Sequence, residues 1–273
     1  MPKETKHSKK HGLISSYNER LQRGFDVRMT LLEFLKDEIY TTIDIVCELC
    51  GYSTKRGAEM MLKKIENEGY IKSIRRNLYS AHGQKVYGIT TSGVSFCTPE
   101  NEMPDKPKVF LPYKLNLSQF EHKVKIQKIR IGLSNIGREI GDINDFPFKA
   151  KLPDLITVDM KLSNENSDST EYVNCYEMEL TIKSIPRYRK IIMDYETTDY
   201  RFKGSEKDYK TNFRKLLLKN VIWITESEDS AKKLKSIFNN LIRSFNSNIR
   251  IDVNHQFVSF DTISEWIKLT QNT

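Results

Sequence analysis

The stretch STKRGAEMMLKKIENEGYIKSIRRNLYS, residues 53–80, contains the strongest signals for the fold of the first part of the chain. Its apolar residues recur every three or four positions, which is the spacing of one buried helix face: Ala58, Met61, Leu62 and Ile65. Ser53 precedes this face and is a residue type that caps helix N-termini. The pattern predicts a helix that begins after Ser53 and ends before Gly69.

A hairpin is predicted directly after this helix. The runs IKSIRRNLYS, residues 71–80, and KVYGIT, residues 85–90, are rich in β-prone side chains. They flank the sequence AHGQ, residues 81–84, whose glycine favours a tight turn. The two runs are therefore expected to pair as antiparallel strands.

Two more helices are predicted before residue 53. Apolar residues at helical spacing over 26–36 indicate a first helix. Thr41 or Thr42 caps a short second helix, and Gly51 ends it by adopting the left-handed conformation. Three helices followed by a hairpin is the order of a winged helix-turn-helix, so we expect a DNA-binding domain of this kind over residues 24–96.

Charged residues on the third helix and on the hairpin are the candidate DNA contacts. In winged-helix domains the third helix lies in the major groove, and the hairpin forms the wing. The predicted contacts on the helix are Lys55, Arg56, Glu59 and Lys63, and those on the wing are Arg75, Arg76 and Lys85. Such charges also occur on the solvated face of ordinary amphipathic helices, but the order of elements and the basic wing together favour DNA.

The composition is that of a folded, basic protein. The chain has 273 residues, which suggests two domains, and 38% of them are hydrophobic. A net charge of +8 favours a polyanionic partner, because each lysine or arginine that meets a phosphate releases counterions. No apolar run approaches the roughly 20 residues of a membrane span, and the N-terminal sequence MPKETKHSKKHG lacks the apolar stretch of a secretory signal. A cytoplasmic protein without a membrane partner is therefore expected.

The four cysteines are too few and too scattered for a disulfide framework, so reduced thiols are expected. Cys47 and Cys50 form a C-x-x-C pair, but the sequence has no second such pair and no nearby histidine pair to complete a zinc site. Core positions on the second helix are favoured for both.

Residues 97–112 are predicted to be a linker. This segment has charged residues, no apolar period and four prolines: Pro99, Pro104, Pro107 and Pro112. It is interpreted either as a semi-stiff spacer or as a strap across the second domain, residues 113–273.

The second domain alternates predicted helices and strands. The elements are a helix from Ser118, strands at 155–158 and 172–184, a helix at 212–219 (NFRKLLLK), a strand at 220–225 (NVIWIT), a helix at 227–245 and edge-strand material at 249–260. Alternation of this kind indicates an α/β core.

The strand YVNCYEMELTIKS, residues 172–184, carries the most informative polar residues. Its alternation places Glu177, Glu179 and Lys183 on one face, and Asp154 begins the preceding strand. A surface strand could carry two glutamates in water, but the apolar flanking residues indicate a well-packed strand. Like charges in a protected place need a cation, and carboxylate oxygens suit Mg²⁺ or Mn²⁺.

This arrangement resembles the PD-(D/E)xK nuclease superfamily, in which an Asp and a (D/E)xK strand bind the metal that activates water for phosphodiester cleavage. Asp154 after Pro153 matches the first part of the motif, but Glu179 stands where the lysine is usual. Lys183 lies about 13 Å further along an extended strand, at roughly 3.3 Å per residue. The resemblance implies a restriction-endonuclease-like α/β domain and a set of site residues: Asp154, Glu177 and Glu179 as catalytic metal ligands, Lys183 as a catalytic residue and Glu121 as a further metal ligand.

A second resemblance covers most of the chain. The run EMELTIKS, residues 177–184, followed by Arg187-Tyr188 and Tyr195, and preceded by an LPD strand and a winged helix, is similar to the replication-relaxation family, which includes the MobC-type relaxases of mobilisable plasmids. The resemblance implies a relaxase-like enzyme that nicks double-stranded or locally melted DNA at a plasmid or mobile-element origin, with other mobilisation or replication proteins as partners. Arg187 and Arg189 would line a positive channel for the DNA backbone.

Other interpretations stay open. A non-catalytic replication-initiation or mobilisation accessory protein could keep a degenerate nuclease fold to hold DNA, and a regulatory repressor would need none of the carboxylates. Tyr188 and Tyr195 could be imagined as nucleophiles, but in a chain with 13 tyrosines a packing or DNA-backbone role is favoured.

Overall fold

A computed structural model describes six segments of the chain: residues 17–76, 84–141, 153–160, 170–197, 215–245 and 253–270. The chain divides into two compact units, Met1–Asn116 and Leu117–Thr273. Both units are mixed α/β, and each has its own sheet. Of the helices in the described segments, none combines the length and the apolar character needed to cross a membrane.

The N-terminal unit is built from helices around a small antiparallel sheet of strand order β1-β3-β2. Its main elements are α1 (Tyr17–Glu38), β1 (Tyr40–Thr42), α2 (Ile43–Cys50), α3 (Lys55–Asn67), β2 (Ile71–Arg76), β3 (Gln84–Ile89) and α4 (Thr91–Cys97). The two predicted hairpin strands do pair, with Ile71 opposite Ile89 and Arg76 opposite Gln84. The predicted turn at 81–83 lies outside the described residues.

The ends of the N-terminal helices differ in part from those predicted. Helix α1 begins at Tyr17, well before the predicted start at Asp26. Gly51 ends α2 with φ of 68°, as its left-handed preference predicts. The prediction that Ser53 caps α3 is wrong, because the Thr54 hydroxyl accepts the hydrogen bond from the Gly57 N–H. Either residue type can cap a helix, so the pattern alone did not separate them.

The proline-rich segment after α4 lies against the N-terminal unit. Phe110 is 1% exposed, and its backbone N–H donates to the Ile89 carbonyl at 2.9 Å. The ring covers Gly88 so closely that a Cβ at that glycine would lie 2.1 Å from it. A glycine in β3 therefore allows this segment to pack on the sheet.

The C-terminal unit is a five-stranded mixed sheet of order β4-β5-β6-β7-β8. Its elements are α5 (Leu117–Asn135), β4 (Glu139–Ile140), β5 (Leu155–Met160), β6 (Thr170–Glu179), α6 (Ile185–Thr197), β7 (Lys215–Thr225), α7 (Glu228–Ser244), β8 (Asn254–Ser259) and α8 (Ile263–Thr270). Strands β4, β5 and β6 pair antiparallel, whereas β6, β7 and β8 pair parallel.

Helices cover both faces of this sheet. Helices α6 and α7 pack on one face around Trp223, which is 1% exposed, and α5 and α8 pack on the other face around Ile222 and Ile224. From Val221 to Thr225, strand β7 is therefore buried on both sides. Parallel strands in this position have continuous apolar sequences rather than alternating ones.

One predicted helix of this unit is wrong. The sequence NFRKLLLK was predicted to be helical, but the structure has Lys215 to Lys219 at the start of β7, and residues 212–214 lie outside the described segments. A short apolar run gives no periodic signal that separates a buried strand from a buried helix.

A row of polar side chains crosses the sheet and helps to set its register. Asn220 on β7 donates to Asn174 on β6 at 2.6 Å, and Asn254 on β8 donates to Asn220 at 2.8 Å. Asn174 in turn donates to Thr157 on β5 at 3.3 Å. Because a slip of one residue would break this row, it fixes which residues of β5 and β6 meet at the other end of the strands.

Candidate functional site

The outer face of α3 is a strip of exposed, mostly charged residues. The helix buries Ala58, Leu62 and Ile65, so the opposite side faces solvent: Arg56, Glu59, Met60, Lys63, Lys64 and Asn67. Met60 is 69% exposed in the middle of this strip. We call these six residues the α3 strip. Arg56 and Lys63, two of the basic residues on α3 that are predicted to contact DNA, belong to this strip.

Two other predicted DNA contacts are engaged within the unit. The Lys55 ammonium lies 2.6 Å from Asp44 Oδ1 on α2, and this bond raises the pKa of Lys55. The Lys85 ammonium lies 3.4 Å from Glu66 Oε2 and 4.9 Å from the centre of the Tyr87 ring. The Lys55–Asp44 pair is exposed, where such contacts contribute little, whereas the Lys85–Glu66 pair is partly buried.

The remaining wing residues lie on the hairpin. Arg75 is exposed on β2 and stands opposite Lys85 of β3 in the strand register. Arg76 is the last residue of β2, opposite Gln84. Arg75 and Lys85 therefore meet as neighbouring basic residues on the two strands.

Cys47 and Cys50 both lie on α2, half-buried beside the core of this unit. Burial raises the pKa of Cys50 to about 12 and also raises the pKa of Cys47. Both side chains therefore pack against the core of the unit, as the sequence predicts.

The predicted acidic residues of the C-terminal unit lie at one end of its sheet. Strands β5 and β6 pair with Leu155 opposite Tyr176, which sets Asp154 beside the last residues of β6. The Asp154 N–H donates to the Tyr176 carbonyl at 3.0 Å, and Asp154 Oδ2 accepts from the Met178 N–H at 2.8 Å. Asp154 thus holds the end of β6 in place.

Asp154 also has a side-chain partner that the sequence did not single out. His122 Nε2 on α5 lies 3.1 Å from Asp154 Oδ1. His122 is not among the predicted site residues, because no local pattern links a helix residue to a strand 32 positions later. The pair joins α5 to the start of β5.

Glu177 is fully buried beneath α6. Its side chain is 0% exposed, and its Oε1 accepts a hydrogen bond from the Tyr195 hydroxyl. Tyr195 is itself 3% exposed and packs edge-on against Trp223. Tyr195 therefore packs in the core and donates a hydrogen bond to the carboxylate. Its hydroxyl lacks the exposure that a nucleophile needs.

Glu179 and Lys183 form a second buried contact. Strand β6 ends at Glu179, and the chain turns so that the Lys183 ammonium pairs with Glu179 Oε1. The predicted extended separation of these residues is therefore wrong. The Lys183 N–H donates to the Tyr188 hydroxyl at 3.0 Å, which stabilises the turn, and burial raises the pKa of Tyr188 to about 12.

The second oxygen of Glu179 is unusual. Its side chain is 1% exposed, and Oε2 has no hydrogen-bond partner among the described residues. A buried carboxylate oxygen without a donor is costly, because it has lost its water without replacement.

Three of the four predicted metal ligands share one end of the sheet but have different partners. Asp154 contacts His122 and β6, Glu177 contacts Tyr195, and Glu179 contacts Lys183. Within the described segments, no group of three or more His, Cys, Asp and Glu side chains is placed to hold one metal ion.

The other predicted residues of this unit lie at its surface. Glu121 is exposed and pairs with Lys125 at 3.1 Å, and Lys125 also pairs with Glu226 at 2.9 Å. Arg189 on α6 donates to the Ser244 hydroxyl at 2.9 Å and lies over the Phe245 ring. Arg187 is exposed at the start of α6.

Comparison with known proteins found no match: no protein-family model, no curated protein and no solved structure is similar to the chain at a significant level. The functional conclusion therefore depends on the geometry of the two units.

Proposed function

We propose that the protein binds double-stranded DNA through the α3 strip and the β2–β3 hairpin of its N-terminal unit. The observation that carries this proposal is the α3 strip itself, an exposed helix face with basic residues along its length, followed directly by a basic hairpin. The order α1-α2-α3 then β2-β3 is the one expected of a winged helix-turn-helix, in which the third helix enters the major groove.

The chemistry of the strip suits a duplex. Arg56 and Lys63 are two turns apart on one face, so they can meet phosphates or base edges along one groove. Lys55 loses only a weak surface pair when it turns to a phosphate, and Lys85 loses a partly buried one. Each phosphate contact releases counterions, so affinity should fall steeply as salt rises.

The test is a salt titration of duplex binding by fluorescence anisotropy. The double variant Arg56→Ala/Lys63→Ala should bind about tenfold to a hundredfold more weakly, and the slope of log K against log salt should fall by about 2. Lys106→Ala is the matched control, because Lys106 is also exposed in this unit but lies outside α3 and the hairpin. Equal affinity and slope for all three proteins would overturn the proposal.

A second candidate function, metal-dependent cleavage of one DNA strand, is favoured by the buried Glu179 Oε2. A divalent cation would satisfy this oxygen, and Asp154 and Glu177 lie at the same end of the sheet. Carboxylate oxygens suit Mg²⁺ or Mn²⁺, and the three side chains would have to leave their separate partners to share one ion, which would then supply an activated water and neutralise charge on the scissile phosphate. Lys183 balances the charge of Glu179 within the fold.

In this proposal the protein is a relaxase-like nickase that acts at a plasmid or mobile-element origin. Supercoiled DNA that carries the element's own origin should be nicked in the presence of Mg²⁺ or Mn²⁺, and Glu179→Gln should abolish nicking while duplex binding is kept. Glu139→Gln is the control, since Glu139 is exposed on β4 opposite Val158 and belongs to none of the predicted site residues. If no metal supports nicking but origin binding is tight, the protein is instead a non-catalytic mobilisation or replication accessory protein.

A further inference from the structure

The sheet of the C-terminal unit has two very different edges among the described residues. The β4 edge has only two residues, and one of them is the exposed Glu139. The β8 edge has six residues, Asn254–Ser259, with no proline and no lysine, arginine, aspartate or glutamate. Short strands, charges and prolines are the usual means of keeping an edge from pairing, so within the described segments β8 lacks the protection that β4 has.

A groove runs along the unprotected edge. It has a volume of about 490 Å³, and its walls are α7 on one side of β8 and α8 on the other. Its apolar lining includes Ala231, Phe257, Trp266 and Leu269. Leu269 is 71% exposed, which is unusual for a leucine on a helix that otherwise packs its apolar side inward.

The charges of α7 along this groove are arranged in a self-complementary order. Glu228, Lys232 and Lys235 line the groove on one side of the helix, with the acid at the N-terminal end and the bases further on. Glu228 and Lys232 also form an exposed pair at 3.9 Å within the helix, which contributes little and can exchange with a contact to a second copy. If two α7 helices lie antiparallel, Glu228 of each copy faces Lys235 of the other, and Lys232 faces Ala231. A two-fold axis beside β8 would produce this arrangement.

We propose that a second copy of this chain docks along β8, with the two edge strands antiparallel and the α7 helices side by side. Two-fold pairing gives each edge a partner for its backbone N–H and C=O groups and covers Leu269 and Trp266. It also forms the contact between Glu228 and Lys235 twice, since the two-fold symmetry repeats each contact. This interface uses only the C-terminal unit and does not depend on DNA binding or on strand cleavage.

The experiment is sedimentation velocity of the full chain over a wide concentration range. The wild type should be a dimer that dissociates on dilution. Leu269→Asp should raise the dissociation constant at least about tenfold, because a charge would be placed in the apolar part of the contact. Leu21→Asp is the matched control, as Leu21 is 54% exposed but lies on α1, and it should leave the dimer unchanged.

A charge swap tests the geometry itself. Glu228→Lys and Lys235→Glu should each weaken the dimer about tenfold, because each creates two like-charge contacts, and the double variant should recover most of the affinity. A chain that is monomeric at every concentration would overturn the proposal. So would a dimer that is insensitive to Leu269→Asp, or a double variant no stronger than the two single ones.

Discussion

The charged residues of the α3 strip and the two glutamates of β6 lie in opposite environments. On the α3 strip the charges are exposed; beside it, the Lys55–Asp44 pair is exposed and the Lys85–Glu66 pair is partly buried. In the C-terminal unit Glu177 and Glu179 are buried, and each has a specific partner from α6 or the turn before it. Exposed charges can be replaced at little cost to stability. Buried charges with specific partners affect the stability of the fold in addition to any chemical role.

This difference decides how variants must be interpreted. A loss of DNA binding by Arg56→Ala can be assigned to the lost contact, because the side chain is exposed. A loss of nicking by a Glu177 variant cannot be assigned to catalysis until the stability of the C-terminal unit is measured. Conservative changes of the buried partners are therefore the sharpest probes.

The largest effect is expected for Tyr195→Phe. The change removes the hydroxyl that donates to Glu177 in a fully buried site, and a lost hydrogen bond to a charged group costs about 1.5–3 kcal/mol. Urea unfolding followed by circular dichroism measures it. Tyr188→Phe is the control: its hydroxyl accepts from a neutral backbone N–H, and the expected loss is about 1 kcal/mol. Equal losses would show that Glu177 is not held as a charged carboxylate.

Much of the N-terminal unit follows from periodicity in the sequence. The helical spacing of Ala58, Leu62 and Ile65 and the β-prone runs on either side of residues 81–84 predicted α3 and the hairpin pairing. Gly51 marked the end of α2 because few other residues adopt a positive φ at low cost. These signals are local, so a single sequence contains them.

The partners of the carboxylates could not be predicted in the same way. Asp154, Glu177 and Glu179 were placed near one another from two adjacent strands, but His122 and Tyr195 reach them from helices that only the tertiary fold brings close. The position of Lys183 was missed because the strand was extended past Glu179, where the chain actually turns. Non-local contacts and strand ends have little effect on the local spacing of apolar and polar residues in the sequence.

A smaller effect is expected at alkaline pH, and both units should show it. Burial raises the pKa of Tyr188 to about 12 in the C-terminal unit and that of Tyr87 to about 12 in the N-terminal unit. An unfolded tyrosine ionises near its ordinary pKa of about 10, so above that pH the folded state binds more protons than the unfolded state. Below pH 10, these two tyrosines should therefore leave the free energy of unfolding unchanged. As the pH rises towards 12, the free energy of unfolding should fall.

Single substitutions assign this loss to one unit or the other. Tyr188→Phe should flatten the alkaline decline of the C-terminal unit, and Tyr87→Phe that of the N-terminal unit, when urea unfolding is repeated across this pH range. An unchanged decline in both variants would contradict the assignment.

The smallest effect is expected for a change at the start of α3, next to the exposed charges of the α3 strip. Thr54→Ala removes the hydroxyl that accepts from the Gly57 N–H at 3.3 Å, and loss of such a cap costs about 1 kcal/mol. Ser53→Ala is the control and should change the free energy of unfolding by less than about 0.5 kcal/mol, since Ser53 is exposed and does not cap the helix. Because neither change alters the charge of the α3 strip, duplex affinity should stay within about twofold of the wild type in both variants. A large loss of affinity in Thr54→Ala alone would mean that the order of the first turn of α3, and not only its exposed charge, determines binding.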